Sequence, residues 1–276
     1  MGRFMPTRGF TLLELLIAIV VIGILAVVVG PLLYAPVKSY FDTSDRAELV
    51  YSTDAAMRRL ARDARNSLPY SVRLINGGTA VEMIEVLDVG RYRENGGGAA
   101  RKLAFNGNDT SFNLVGSFER LGAFSSTTER LVVFNLGSPG FDVYAGDSVV
   151  SNSAFTVASE TYSVAGSTYT EHQVTTAGTF PFLLSTPSHR IFVIGDYIAY
   201  GCSGTGLYRL QGYATPEPAS ATIAGGSLET DDVTACSFNY DPGSSLRPGV
   251  LTMILTVTRG GESVTLQHQV HIPNAV

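Results

Sequence analysis

The sequence predicts an α+β chain in which one long N-terminal helix, first membrane-spanning and then amphipathic, packs on an antiparallel β-sheet domain. Three observations predict it. Residues 15–37 carry no charge and are mostly Leu, Ile, Val and Ala. From about residue 39 to residue 68, apolar side chains recur at alternating steps of three and four. Beyond Tyr70 that periodicity disappears, and short apolar runs are punctuated by Gly, Asn, Asp and Pro.

The first observation is a matter of length. A helix rises about 1.5 Å per residue, so roughly 20 apolar residues cross a hydrocarbon core about 30 Å thick. Residues 15–37 exceed that, and the segment reads as a span in contact with membrane lipid. Ahead of it, Arg3 and Arg8 stand without an acid, which keeps the N-terminal end cytoplasmic and sends the rest of the chain across. A conventional signal peptide would place small residues after the apolar run, and Ala35, Pro36 and Val37 offer such a site, but the run is about twice a typical signal core. Glu14 argues the same way, because an acid at the head of a spanning helix is costly to bury without a partner.

The second observation is a helix face. Ala47, Val50, Asp54, Met57, Ala61, Ala64 and Leu68 follow the helical spacing, with Asp54 as an interruption. Arg46, Arg58, Arg59, Arg62 and Arg65, with Glu48 and Asp63, cover the remaining faces as a solvated surface with local ion pairs. Leu68 precedes Pro69 and is expected to end the helix. Pro31 and Pro36 each remove a hydrogen bond and can bend it.

The third observation yields strands at residues 81–87, 103–105, 131–136, 191–194, 197–200, 207–211, 236–240, 250–258 and 263–272. Gly260 and Gly261 supply the positive φ angles of a tight hairpin between the last two. Residues 77–78, 96–98 and 213–226 read as loops, and 138–180 is too polar for its strands to be placed. The chain has two cysteines, Cys202 and Cys236. In an oxidising compartment they are expected to form a disulfide, the alternative being two free thiols.

The net charge of −5 gives no global attraction to nucleic acid, which is not an expected partner. His172, His189, His268 and His271 lack metal-ligand spacing, and His268 and His271 fall on opposite faces of a predicted strand. Asp142, Asp147, Asp231 and Asp232 place acids in loops without a full calcium pattern. No phosphate loop or nucleophile elbow occurs, so neither catalytic residues, nor a metal, nor a cofactor is expected.

The stretch Arg8-Gly9-Phe10-Thr11-Leu12-Leu13-Glu14-Leu15-Leu16-Ile17-Ala18-Ile19 resembles the cleavage and methylation motif of type IV prepilins and type II secretion pseudopilins. The resemblance implies a pilin-like fold and a membrane prepilin peptidase that cuts after Gly9 and methylates the new N-terminus, Phe10. It assigns subunit assembly to Glu14 and the helix kink to Pro31. The physical reasons are independent: glycine has no side chain to hinder close approach of a protease, and a cationic amine in an apolar filament core needs a carboxylate partner. Residues 58–65 and 68–73, with Tyr200-Gly201-Cys202, residues 206–209 and 236–240, and Gln269-Val270-His271-Ile272-Pro273-Asn274, resemble the MshO family of MSHA pilus biogenesis proteins, which are minor pseudopilins.

These readings divide the chain into a leader (1–9), a transmembrane part of the helix (10–37), an amphipathic part (38–68) and a periplasmic β-rich domain (69–276). The expected function is a noncatalytic minor pseudopilin that helps initiate or cap an MSHA-like pilus. Its expected partners are the prepilin peptidase, other major and minor pilins and the inner-membrane assembly platform. It is expected as a single-pass inner-membrane protein, available for incorporation into the pilus. A larger minor pseudopilin of a type II secretion system is the alternative within the class. A membrane-tethered periplasmic enzyme or binding module is the alternative outside it.

Overall fold

The computed structural model describes residues 9–97, 100–105, 107–120, 129–151, 154–244 and 247–274. Leader residues 1–8, with Arg3 and Arg8, lie outside the described residues, as does Gly98 of one expected loop. Helix α1 (Leu12–Arg65) is continuous over 54 residues, about 80 Å at the ordinary helical rise. It runs unbroken through positions 31 and 36. Among the described residues, one helix is long and apolar enough to cross a membrane, over Leu12–Val29, and no residue of that stretch is buried by the domain.

The helix closes at Arg65, one turn before the expected Leu68. The N–H of the capping residue Asn66 bonds back to the carbonyls of Arg62 and Asp63, and the chain turns away there. Leu68 donates its backbone N–H to Ile84 and Ser67 bridges Glu85, so the residues before Pro69 join a sheet edge. Met57, Ala61, Ala64 and Leu68 of the expected stripe are buried, but in the first turns the buried face is displaced: Leu49 and Thr53 are buried, whereas Ala47 is exposed and Asp54 pairs with Arg58 at 2.7 Å.

Thirteen strands follow among the described residues: β1 (Arg73–Ile75), β2 (Ala80–Arg91), β3 (Ser111–Asn113), β4 (Arg130–Val132), β5 (Val149–Ser151), β6 (Phe155–Val164), β7 (Ser167–Thr176), β8 (Arg190–Ser203), β9 (Gly206–Gln211), β10 (Ser227–Thr230), β11 (Val233–Asp241), β12 (Gly249–Arg259) and β13 (Glu262–Ile272). A four-residue helix, α2 (Ser220–Ile223), interrupts the expected 213–226 loop. All pairings are antiparallel. The largest sheet runs β1-β2-β8-β4-β5, with β9 and β10 added on β8; a second is β11-β12-β13 and a third β3-β7-β6.

The α+β class holds, and several strand boundaries differ for identifiable reasons. Residues 191–194 and 197–200 belong to the single strand β8. Gly195 and Asp196 looked like a break, but the register shifts there opposite Glu85, and a Cβ on Gly195 would stand 3.0 Å from the Leu87 side chain. The glycine marks close packing at a bulge. Residues 103–105 form no strand, although Leu103 is buried and bonds to the Arg93 carbonyl. The stretch that could not be placed holds the β6–β7 hairpin, turned by Ala165 and Gly166 at positive φ.

Two main cores result. The helix face from Leu49 to Ala64 packs against Val81, Met83, Ile198 and Leu207 of the large sheet and Leu251, Met253, Leu255 and Val257 of β12. Tyr92, Phe112, Phe118, Phe180 and Phe182 fill the second, beneath the β3-β7-β6 sheet. Each fully buried Leu, Ile or Phe contributes about 1.5–3 kcal/mol. The first core therefore fixes α1 to the domain from Leu49 onward, and the apolar stretch Leu12–Val29 projects from it.

Candidate functional site

The segment that the motif singles out lies where α1 begins. Thr11 is the N-cap, with extended backbone angles, and its hydroxyl accepts the N–H of Glu14 at 3.2 Å. The Glu14 carboxylate reaches back, and its Oε2 accepts both the backbone N–H and the hydroxyl of Thr11, each at 3.0 Å. This reciprocal capping box satisfies donors that a helix start otherwise leaves unpaired. It was legible as Thr-x-x-Glu but was not among the features read from the sequence. Only Oε2 is engaged; Oε1 has no partner among the described residues, so one carboxylate oxygen stays open to an external cation.

Gly9 and Phe10 precede the cap, outside the helix, and both are exposed, Phe10 at 81%. A Cβ added at Gly9 would meet nothing within 4 Å. Among the described residues nothing demands glycine at position 9 on steric grounds. The bond between residues 9 and 10 lies in a nonhelical, accessible stretch, the state in which a protease can read a backbone.

Beyond the span, polar contacts add to the apolar core in holding the helix. Asp63 Oδ2 accepts the Tyr200 hydroxyl at 2.7 Å and the Arg209 Nε–H at 2.9 Å, tying α1 to β8 and β9. Burial, reinforced by the Asp63 carboxylate that takes its hydrogen bond, holds the Tyr200 phenol well above its usual range. Arg59 pairs with Glu229 of β10 at 3.0 Å. The sequence offered no sign of these long-range partners. Arg46, Arg62 and Arg65 stay exposed without an ion pair among the described residues.

Cys202 at the end of β8 and Cys236 in β11 are joined by a disulfide. It links the large sheet to the β11-β12-β13 sheet, with Val233 N–H to Thr205 carbonyl beside it at 2.8 Å.

The other singled-out groups are dispersed. His268 and His271 lie on opposite faces of β13, His271 exposed. His172 is buried and its Nδ1 accepts the Phe118 N–H at 3.0 Å; burial lowers its pKa, favouring the neutral ring that this contact requires. Asp147 accepts the backbone N–H groups of Gly140 and Asp142, and Asp231 and Asp232 both pair with Arg259. Among the described residues, no three His, Cys, Asp or Glu side chains form a group able to hold a metal ion. A cleft of about 420 Å³ is lined by Tyr70, Arg73, Leu136, Asp142, Tyr144 and Tyr240. Its Arg73 is already committed, to buried Glu82 at 2.7 Å and to Glu217 at 2.9 Å.

An exposed N-terminal segment, a capped apolar helix that fits a single-pass membrane anchor and an α+β domain packed on the same helix match the plan of a prepilin-type subunit. A family model described as the prokaryotic N-terminal methylation motif matches residues 5–30. The match supports the pilin and pseudopilin class and implies processing by a prepilin peptidase and pilin-type partners. It leaves the domain outside the matched segment. No curated protein and no solved structure matches the chain.

Proposed function

We propose that this chain is a noncatalytic minor pseudopilin of an MSHA-like type IV pilus, which helps to initiate or cap assembly after a prepilin peptidase cuts behind Gly9. The observation that carries the reading is the methylation motif set on an exposed segment immediately ahead of a capped, apolar helix. Arg3 and Arg8 hold the leader in the cytoplasm, which puts the domain in the periplasm. Until assembly, lipid covers the apolar helix. Phe10 then becomes the methylated N-terminus, and its cationic amine pairs with the open oxygen of a neighbour's Glu14. Pro31 supplies the bend by which the helix adapts to major and minor pilins and to the inner-membrane platform.

A minor role suits the domain. The β6–β7 hairpin has ten paired rungs, and its turn end, where Thr161 faces Thr170, Tyr162 faces Tyr169 and Ser163 faces Thr168, is largely exposed. A shaft subunit surrounded by copies of itself has little room for such a projection; an end position has room on one side. A minor pseudopilin of a type II secretion system shares the anchor and the sheet. The tyrosine-lined cleft favours, as a second reading, a membrane-tethered binding module, because tyrosine faces beside a few polar groups are common in ligand clefts.

Withholding the chain from cells that make the other pilins is expected to lower the count of surface pili. Sheared filaments from complete cells should contain it at far below one copy per major subunit. Equal stoichiometry with the major subunit would overturn the minor role. Loss of protein secretion with normal piliation would favour the secretion system.

A further inference from the structure

Strand β13 ends the β11-β12-β13 sheet and pairs with β12 along its full length, from Arg259 opposite Glu262 to Gly249 opposite Ile272, without a register shift. The two-residue turn Gly260-Gly261 makes Arg259 and Glu262 a hydrogen-bonded pair, which sets the alternation beyond it. Residues 264, 266, 268, 270 and 272 exchange bonds with β12. Ser263, Thr265, Gln267, Gln269 and His271 turn their backbone N–H and C=O groups outward. All five residues are exposed, and no backbone hydrogen bond connects them to another segment among the described residues.

Proteins ordinarily protect such an edge with charge, proline, a bulge or brevity. From Ser263 to Ile272 there is no Asp, Glu, Lys, Arg or proline, and the register has no bulge. The edges at β1, β3 and β5 are three residues long and that at β10 four. Strand β11, at the opposite side of the same sheet, is tied to β8 by the disulfide. The other long open edge, β6, belongs to the separate β3-β7-β6 sheet.

The direction of β13 relative to the anchor decides what can add to it. At its start, Arg259 of the turn pairs with Glu48 of α1 at 3.2 Å, and Gly260 lies beside Asp45. At its end, Asn274 Oδ1 accepts the N–H of Tyr70, five residues past the helix terminus at Arg65. So β13 climbs α1 in the helix's own direction, away from the span. A twofold pairing of β13 with β13 runs the two strands antiparallel and reverses one helix against the other. Two copies anchored in one membrane cannot meet that way.

We propose that the open edge of β13 receives, by strand addition, an extended and uncharged segment of a neighbouring pilin-type subunit that runs toward the membrane. Backbone hydrogen bonds from the five outward residues carry the recognition. The inference rests on the assembly reading above and names a surface that engages a different subunit.

The test separates backbone from side chain in the full chain, co-expressed with the other pilins. Gln267→Pro removes one outward N–H and no bond to β12, whereas Gln267→Ala keeps the N–H and removes the side chain. Gln267→Pro is expected to be cleaved normally and to enter the assembly about tenfold less, the equivalent of one to two lost backbone bonds. Gln267→Ala should enter like wild type. Equal incorporation of both, or equal loss in both, overturns strand addition. Because proline can also disturb folding, hydrogen exchange on the wild-type chain in lipid nanodiscs gives an independent reading. The amides of Thr265, Gln267 and Gln269 should slow by roughly 100-fold when pilins are present. Unchanged exchange overturns the proposal, and so does slowing that appears without pilins as the chain is concentrated, which would mark a second copy. A wild-type chain that is never incorporated fails at the earlier step and takes this inference with it.

Discussion

Replacing Glu14 by alanine is expected to leave cleavage after Gly9 intact and to reduce incorporation with partner pilins by at least about 100-fold. The asymmetry follows from where the carboxylate points. Its Oε2 is held by Thr11 within the same chain, and the bond to be cut lies on the far side of the cap, at an exposed segment that Glu14 does not touch. Alanine therefore removes half of a surface capping box, which costs about 1 kcal/mol of local helix start, and leaves the peptidase substrate in place. In an assembled core the same substitution leaves a methylated amine buried without its counter-charge. Removing one partner of a buried pair costs about 3–5 kcal/mol, which corresponds to a factor of 100 or more in an equilibrium. Glu14→Gln keeps the shape and an acceptor but not the charge, so it should recover the cap and little of the assembly. Comparing cleaved product with filament-associated chain in the same cells measures both effects. Normal assembly of Glu14→Ala would remove the charge-pairing role.

The second large effect concerns the domain. Changing both Cys202 and Cys236 to serine is expected to lower unfolding stability by about 3–4 kcal/mol, with a midpoint lower by roughly 10 °C. The two cysteines are separated by 34 positions, and closing a loop of that size removes much freedom from the unfolded chain. The cysteines are half-buried, so little packing is lost with the sulfurs. The link also joins two sheets that share the core around α1 but have no strand-to-strand ladder between them. Thermal unfolding of the full chain in detergent, with and without reductant, checks the value; an unchanged midpoint would mean that core burial alone sets the docking of the sheets.

What the sequence disclosed follows from how local each signal is. The apolar helix, the N-terminal methylation motif, the late hairpin at Gly260-Gly261 and the strands β9, β11, β12 and β13 are written in contiguous residues, and all were readable. The hairpin β6–β7 was not, because Thr and Ser occupy both of its faces and the alternation that marks a half-buried strand is absent. Strand β8 was read as two because Gly195 and Asp196 serve a bulge and a close contact with Leu87. The helix face was displaced by a residue in its first turns because burial there is decided by β12 and β13, some 200 positions away in the chain. The tie from Asp63 to Tyr200 and Arg209 is nonlocal in the same sense. In the candidate site, Gly9, Phe10 and Glu14 were legible from the motif, while the engagement of a single oxygen of Glu14 required coordinates.

Whether the chain is a prepilin is decided by its N-terminus. The full chain should be expressed with and without a prepilin peptidase, and its intact mass and first residue measured in each case. With the peptidase, loss of residues 1–9 and a first residue Phe10 carrying one added methyl group are expected; without it, the full-length chain should persist. A chain that keeps its leader in the presence of the peptidase, or that is cut near Pro36 instead, would contradict the assignment.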